Sequence, residues 1–258
     1  MRFFRVIALW GVLGLGLAGA GCATRAARAP ARQPDRLTAE EAVALGRALG
    51  PWVERMLGGR TTRLAVEAYI AAVGQRLAWV TPLASTPCRF GVLEVDRRRA
   101  VALPGGVVYV TRGLLADLDS EAQLAAVLAR ELAHLSAGHV EAVLRARFDL
   151  ATLRRAAEAL EAGPDSGAAK AAERVARALL ENDYSPEAHR EADRLALDYL
   201  VAAGYNPTGL LEVLRRGGAG GERLEAARRT LDRKYGEAGG RVADEVYKRE
   251  VLERLGPP

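Results

Sequence analysis

The alternation of apolar and polar positions predicts a chain built mainly of amphipathic helices. Two capping boxes, at Thr38–Glu41 and at Ser120–Gln123, mark the starts of two of them. The helical spacing that begins at the second box continues past Gly138 to about Ala162. A glycine- and proline-containing loop then follows, and Ser185 with Pro186 opens a further helix. The predicted helices cover residues 39–58, 62–80, 121–162, 186–204, 207–216, 222–234 and 242–255.

Three short runs with strand character lie between the second and third of these helices. They are Phe90–Val95, Ala100–Leu103 and Val107–Val110, and turn sequences separate them at residues 96–98 and 104–106. Two tight turns between consecutive strands favour a meander. The fold class predicted is therefore α+β, helix-rich, with one small antiparallel sheet.

The first 21 residues have the organisation of an export signal. A charged start is followed by an apolar stretch and by small residues directly before Cys22. This segment resembles a bacterial lipoprotein signal, which implies cleavage before Cys22 and acylation of that cysteine. Ala23 after the cysteine implies the outer membrane, on its periplasmic face. A transmembrane anchor and an ordinary cleaved signal remain the alternatives.

Composition separates the rest of the chain into a tether and a body. Residues 22–36 contain small, polar and basic residues with two prolines, which predicts a flexible tether between the lipid anchor and the domain at residues 37–258. The formal net charge is +5, but nucleic acid is not an expected partner of an exported chain. Two cysteines, of which Cys22 is assigned to the anchor, cannot form a disulfide framework.

Glu131 and His134 form a Glu-x-x-His motif on the third predicted helix. In the zinc-peptidase motif His-Glu-x-x-His, two histidines four residues apart share one helix face and bind zinc, and the glutamate between them activates a water molecule. In this chain Arg130 stands where the first histidine would be. A Glu-x-x-His pair alone is common, so its surroundings decide its meaning.

Four blocks of the sequence together resemble family forty-eight of the metallopeptidases, the HtpX-like gluzincins. The blocks are residues 103–115, 121–134, 189–193 and 203–207, and the segment from about residue 222 onwards matches least. The resemblance implies a compact zincin-like α+β peptidase domain. It also implies zinc as the cofactor of an active member, and extended or misfolded envelope proteins as partners.

By the same resemblance Glu131 is the general base and His134 is a zinc ligand. The family's third ligand is a glutamate four residues before an aspartate, and counting back from Asp193 reaches His189, so that ligand is changed as well. His134 and His189 then form an incomplete ligand set, and Asp193 supports the site. A guanidinium stays protonated and repels a dication, so Arg130 is a degenerate ligand position. Arg130 pairing with Asp193 is one expected replacement for the metal.

The strand Ala100–Leu103 is implied to be the edge on which a substrate peptide lies as an added β-strand. Its residues are Ala100, Val101, Ala102 and Leu103. His139, five residues after His134 on a continuous helix, is expected to face away from it and to be a packing or capping residue.

Three functions fit these features. The first is a pseudopeptidase, anchored in the outer membrane, which binds extended peptides or an envelope-assembly partner without zinc. The second is an active zinc endopeptidase of envelope quality control with a rearranged ligand set. The third, a purely structural lipoprotein, is disfavoured by the four matching blocks.

Overall fold

The computed structural model describes residues 36–181, 184–237 and 239–256 of the chain. The predicted signal, Cys22 and all of the predicted tether except Arg36 lie outside the described residues. In these ranges no helix combines the length and the hydropathy that a bilayer span requires.

Helices surround a single three-stranded sheet, which confirms the α+β fold class. The strands are β1 (Arg89–Leu93), β2 (Ala100–Leu103) and β3 (Val107–Thr111). The helices are α1 (Ala39–Met56), α2 (Leu64–Ala78), α3 (Arg112–Ala116), α4 (Glu121–Ser136), α5 (His139–Arg145), α6 (Leu150–Ala157), α7 (Ala159–Ala162), α8 (Gly167–Glu181), α9 (Pro186–Ala202), α10 (Thr208–Arg216), α11 (Gly221–Tyr235), α12 (Asp244–Tyr247) and α13 (Glu253–Leu255). A short 3₁₀ turn precedes β3, and a π-helical turn joins α12 to α13.

The sheet is mixed, so the prediction of an antiparallel meander is wrong. Its order is β1-β3-β2, with β1 parallel and β2 antiparallel to β3. All five residues of β3 are buried, which suits the central position, and the connection through β2 supplies the crossover that a parallel pair needs. The strand β2 has the predicted bounds and is an edge strand of this sheet.

Helix α4 is the centre of the core. It packs against α2, α9, α10 and β2, and most of its residues are buried. Alanines at positions 125, 126, 129 and 133 are fully buried and let these neighbours approach closely. The side chains of α4 are therefore held on several sides.

The helix predicted to continue to Ala162 is broken at Gly138. α4 ends at Ser136, and Gly138 adopts φ 76° before α5 begins at His139. A positive φ of this kind is easily adopted only by glycine. The chain therefore changes direction between His134 and His139. The expectation that His139 faces away from His134 assumed one continuous helix, so it does not apply.

A buried carboxylate at the start of α4 connects distant parts of the chain. Glu121 is buried and accepts hydrogen bonds from the hydroxyl groups of Tyr69 and Tyr205 and from Arg241, whose Nε lies 2.6 Å from Oε1. Burial alone would raise the pKa of Glu121, but the hydrogen bonds from Arg241, Tyr69 and Tyr205 hold it below the ordinary value. Residues from three separate regions are thus tied to one carboxylate.

Candidate functional site

A basic cleft of about 750 Å³ opens beside the edge strand β2 and the C-terminal half of α4. It contains the sequence-predicted residues Glu131, His134 and His189 together with Ala100 and Val101. The cleft is also lined by five arginines, at positions 98, 99, 130, 216 and 223. The structure thus brings most of the predicted site to one surface, where the five arginines outnumber three acidic residues, Asp117, Glu131 and Glu181.

Arg130 and Arg223 share the carboxylate of Asp193. Arg130 Nε lies 2.9 Å from Oδ1, while Arg223 donates through Nε to Oδ2 at 2.5 Å and through Nη2 to Oδ1 at 2.8 Å. The Asp193 side chain is only 3% exposed. The pairing of Arg130 with Asp193 was one of the sequence expectations, whereas Arg223, from the least well matched segment, was missed.

The three histidines of the chain meet beside this ion cluster. Nδ1 of His134 lies 3.1 Å from Nδ1 of His139, and the rings of His134 and His189 are 5.6 Å apart between centroids. Tyr184 stacks on His134 with a centroid distance of 3.7 Å. The prediction that His139 faces away is wrong, because Gly138 reverses the chain and brings the start of α5 back to the end of α4.

His134 is held in its neutral form. Burial is the largest cause, and the positive charge of Arg130 and the neighbouring His139 and His189 act in the same direction, so that the pKa of His134 falls from 6.5 to about 2. Since both rings meet through Nδ1, one of His134 and His139 donates in this contact and the other accepts. His134 is therefore an uncharged, deeply packed side chain.

The buried neutral state of His134 predicts a stability that falls in mild acid. The imidazole binds a proton below pH 6.5 in the unfolded chain but not in the folded one, so each pH unit below 6.5 should cost about 1.4 kcal/mol. Urea unfolding at several pH values measures the free energy of unfolding of the unaltered protein and of His134→Gln. In the variant, this free energy should depend on pH less steeply by that amount. An NMR titration in which the His134 ring protonates near pH 6.5 would contradict the prediction.

Glu131 lies in the wall of the cleft next to the edge strand. Burial raises its pKa, and the charges of Arg130 and Arg99 and a hydrogen bond from the backbone N–H of Ala102 oppose that rise only in part. An elevated pKa and a contact with the edge strand are compatible with a general base.

The register of β2 decides which of its backbone groups face the open side of the sheet. Thr111 N–H donates to the carbonyl of Arg99 at 2.9 Å, so Arg99 is turned toward β3. Because the pattern has a period of two, Val101 and Leu103 are turned the same way and Ala100 and Ala102 the opposite way. The backbone group of Ala102 that lowers the pKa of Glu131 lies on this open side.

These residues do not fit a catalytic zinc ion. Such an ion needs three protein ligands and an open position for water. The first ligand position carries Arg130, whose guanidinium is already neutralising Asp193, so only His134 and His189 remain at the three expected ligand positions. A second cation would meet the charges of Arg130 and Arg223 at close range.

Comparison with known proteins agrees with the resemblance drawn from the motifs. A protein of Vibrio cholerae named putative beta-barrel assembly-enhancing protease is 29% identical over 154 residues, which are 57% of this chain and 32% of that protein. The beta-barrel assembly-enhancing protease of Escherichia coli K12 is 26% identical over 156 residues, with the same shares. Metalloprotease YcaL of Escherichia coli K12 is 28% identical over 148 residues, which are 54% of this chain and 56% of that protein.

The similarity thus covers about a third of the length of the two beta-barrel assembly-enhancing proteases. The sequence profile of one peptidase family matches residues 65–247, which include the sheet, α4, the histidines and both arginines of the ion cluster. This match extends over well more than half of the chain. The chain therefore belongs to Peptidase family M48.

Proposed function

We propose that this protein is a pseudopeptidase of the bacterial envelope, which binds extended peptides on a metallopeptidase scaffold without hydrolysing them. The observation that carries the proposal is the ion cluster of Arg130, Asp193 and Arg223. An internal guanidinium supplies the positive charge that a metal would otherwise supply, so the carboxylate is neutralised and the packing of α4 on α9 is kept.

The location proposed is the periplasmic face of the outer membrane, with Cys22 as the acylated first residue of the mature protein. The charged start, the apolar stretch and the small residues before Cys22 support it. Extended or misfolded envelope proteins are the proposed partners, since the names of the similar proteins from Vibrio cholerae and Escherichia coli refer to beta-barrel assembly.

A second candidate function is a working zinc endopeptidase with a rearranged ligand set. The observation that favours it is the position of His139, whose ring contacts His134 although the sequence pattern placed it elsewhere. For this function Arg130 would have to leave Asp193 and make room for a dication.

Metal analysis and a cleavage assay distinguish the two functions. Protein purified without chelators should contain well under one zinc per chain and should leave casein intact, because Arg130 replaces one ligand and leaves His134 and His189 as an incomplete set. Glu131→Gln is the matched control, since it removes the candidate base and leaves the ion cluster in place. Stoichiometric zinc together with casein cleavage that Glu131→Gln abolishes would establish the second function instead.

Peptide binding along β2 predicts a specific effect of proline at Ala100. Its N–H points to the open side of the sheet, so Ala100→Pro should preserve the fold and weaken binding of fluorescein-labelled casein by about three- to ten-fold, the worth of one hydrogen bond. Fluorescence anisotropy measures the change, and Ala100→Val, which keeps the N–H, is the control. Undiminished binding by a folded Ala100→Pro protein would exclude β2 as the binding edge.

A further inference from the structure

The charges around Asp193 do not balance within the ion cluster. One carboxylate that is 3% exposed accepts hydrogen bonds from two guanidiniums, so Arg130, Asp193 and Arg223 together carry a net charge of +1. Glu131 lies close to Arg130, but burial works against its ionisation and makes it a poorer counter-ion than Asp193. The inner end of the cleft therefore favours an anion.

The guanidinium of Arg130 keeps donors for a second partner. Among the residues that the structure describes, Arg130 donates one hydrogen bond, from Nε to Asp193, which leaves the two Nη groups for a ligand. Arg130 also lines the cleft, where its side chain is 17% exposed. The planar fork of a guanidinium matches a carboxylate in a bidentate arrangement, which a neutral amide carbonyl cannot reproduce.

The edge strand β2 lines the same cleft as Glu131 and Arg130. An added strand can pair with the N–H and C=O of Ala100, which face the open side, whereas the N–H of Ala102 faces Glu131. A peptide that ends in this cleft can offer its terminal carboxylate to the guanidinium of Arg130, whereas a chain that continued would offer only a neutral carbonyl.

We infer that the cleft binds extended peptides by their free C-terminal carboxylate, with the guanidinium of Arg130 as the group that recognises it. This inference rests on the proposed peptide-binding function and adds the class of ligand. The carboxylate of the peptide neutralises the net charge of +1 that Arg130, Asp193 and Arg223 carry together. The strand β2 supplies the backbone pairing that orients the peptide. The site of a lost metal is then an anion site.

The test compares three random libraries of short peptides, fluorescein-labelled at the N-terminus, on the full-length protein. One library ends in a free carboxylate, one in a carboxamide, and one in a carboxamide with aspartate as its last residue. The carboxylate library should bind at least about ten-fold more tightly than the plain carboxamide library, the worth of one charge-assisted hydrogen bond pair. Added salt should reduce this preference.

Two arginine variants test whether Arg130 causes the preference for a free carboxylate over a carboxamide. In Arg130→Gln the carboxylate and carboxamide libraries should bind within about two-fold of each other, because the charged fork is absent. Arg228→Gln, an exposed arginine on α11 outside the cleft, is the matched control and should keep the full preference. A preference that persists in Arg130→Gln would overturn the role of this residue.

The outcomes separate this inference from the function on which it rests. Equal binding of the carboxylate and carboxamide libraries by the unaltered protein would overturn the inference and leave peptide binding in place. Equal binding of the carboxylate and aspartate libraries would overturn recognition of the chain terminus. Binding of none of the three libraries would overturn the proposed function as well. These comparisons use the unaltered protein, so they do not depend on how well a variant folds.

Discussion

Asp193→Asn should lower the free energy of unfolding by about 3–5 kcal/mol, the cost of leaving a buried charge without its partner. Arg130 and Arg223 both donate to this carboxylate, which is almost fully removed from solvent. An amide keeps the shape of the side chain but not the charge, so two guanidiniums would face each other without a counter-ion. Urea unfolding followed by circular dichroism measures the loss.

Asp198→Asn provides a matched control on the same helix. Asp198 also links α9 to α11, through Lys234 Nζ and Tyr235 Oη at 2.7 Å each, but it is partly exposed. Its replacement should lower the free energy of unfolding by about 1 kcal/mol or less, because exposed ion pairs contribute little to stability. Equal losses for the two variants would mean that the buried ion cluster contributes no more than a surface pair. The double variant Asp193→Asn, Arg130→Gln should recover part of the loss.

Restoring the two expected ligands should convert the site into a zinc site. The double variant Arg130→His, His189→Glu should retain about one zinc per chain after dialysis, because it supplies three protein ligands, with His134 one helical turn from position 130. Inductively coupled plasma mass spectrometry on purified protein measures the metal. The change from little or no zinc to a stoichiometric amount is the largest expected effect on binding.

The control for that experiment changes the same positions without adding ligands. Arg130→Gln, His189→Gln removes the guanidinium and the imidazole, and it should bind no zinc. If it retains as much zinc as the histidine and glutamate variant, the metal is held by other residues and the ligand assignment fails. A third replacement, Glu131→Gln, on the zinc-binding variant shows whether any cleavage of casein depends on the candidate base.

Local sequence signals predicted the elements well where each signal concerns only neighbouring residues. The box at Thr38 and Glu41 is formed by reciprocal hydrogen bonds, and β2 has the predicted bounds. At Ser120 only half of the box is present: the hydroxyl of Ser120 accepts from Gln123 N–H, while the Gln123 side chain accepts from Asp119 N–H. Such signals act within one turn of chain and are read directly from the sequence.

The sheet order and part of the site depend on contacts between distant residues, and these could not be predicted in the same way. A turn between β1 and β2 shows that the chain reverses there but not which strand becomes central. The break at Gly138 depends on a positive φ that one glycine in a helical pattern does not reveal. Arg223 carries no motif, and only the packing of α11 on α9 brings it to Asp193.

We expect the hydrogen bonds at Glu121 to make the C-terminal segment part of one cooperative folding unit with α4. Arg241 reaches this carboxylate from 120 positions further along the chain, and Tyr69 and Tyr205 share it. Opening the segment around Arg241 would leave a buried carboxylate with fewer donors at the start of α4, so this segment cannot loosen without weakening the central helix. Its backbone amides should therefore exchange with deuterium mainly through global unfolding, at a rate set by the stability of the whole core.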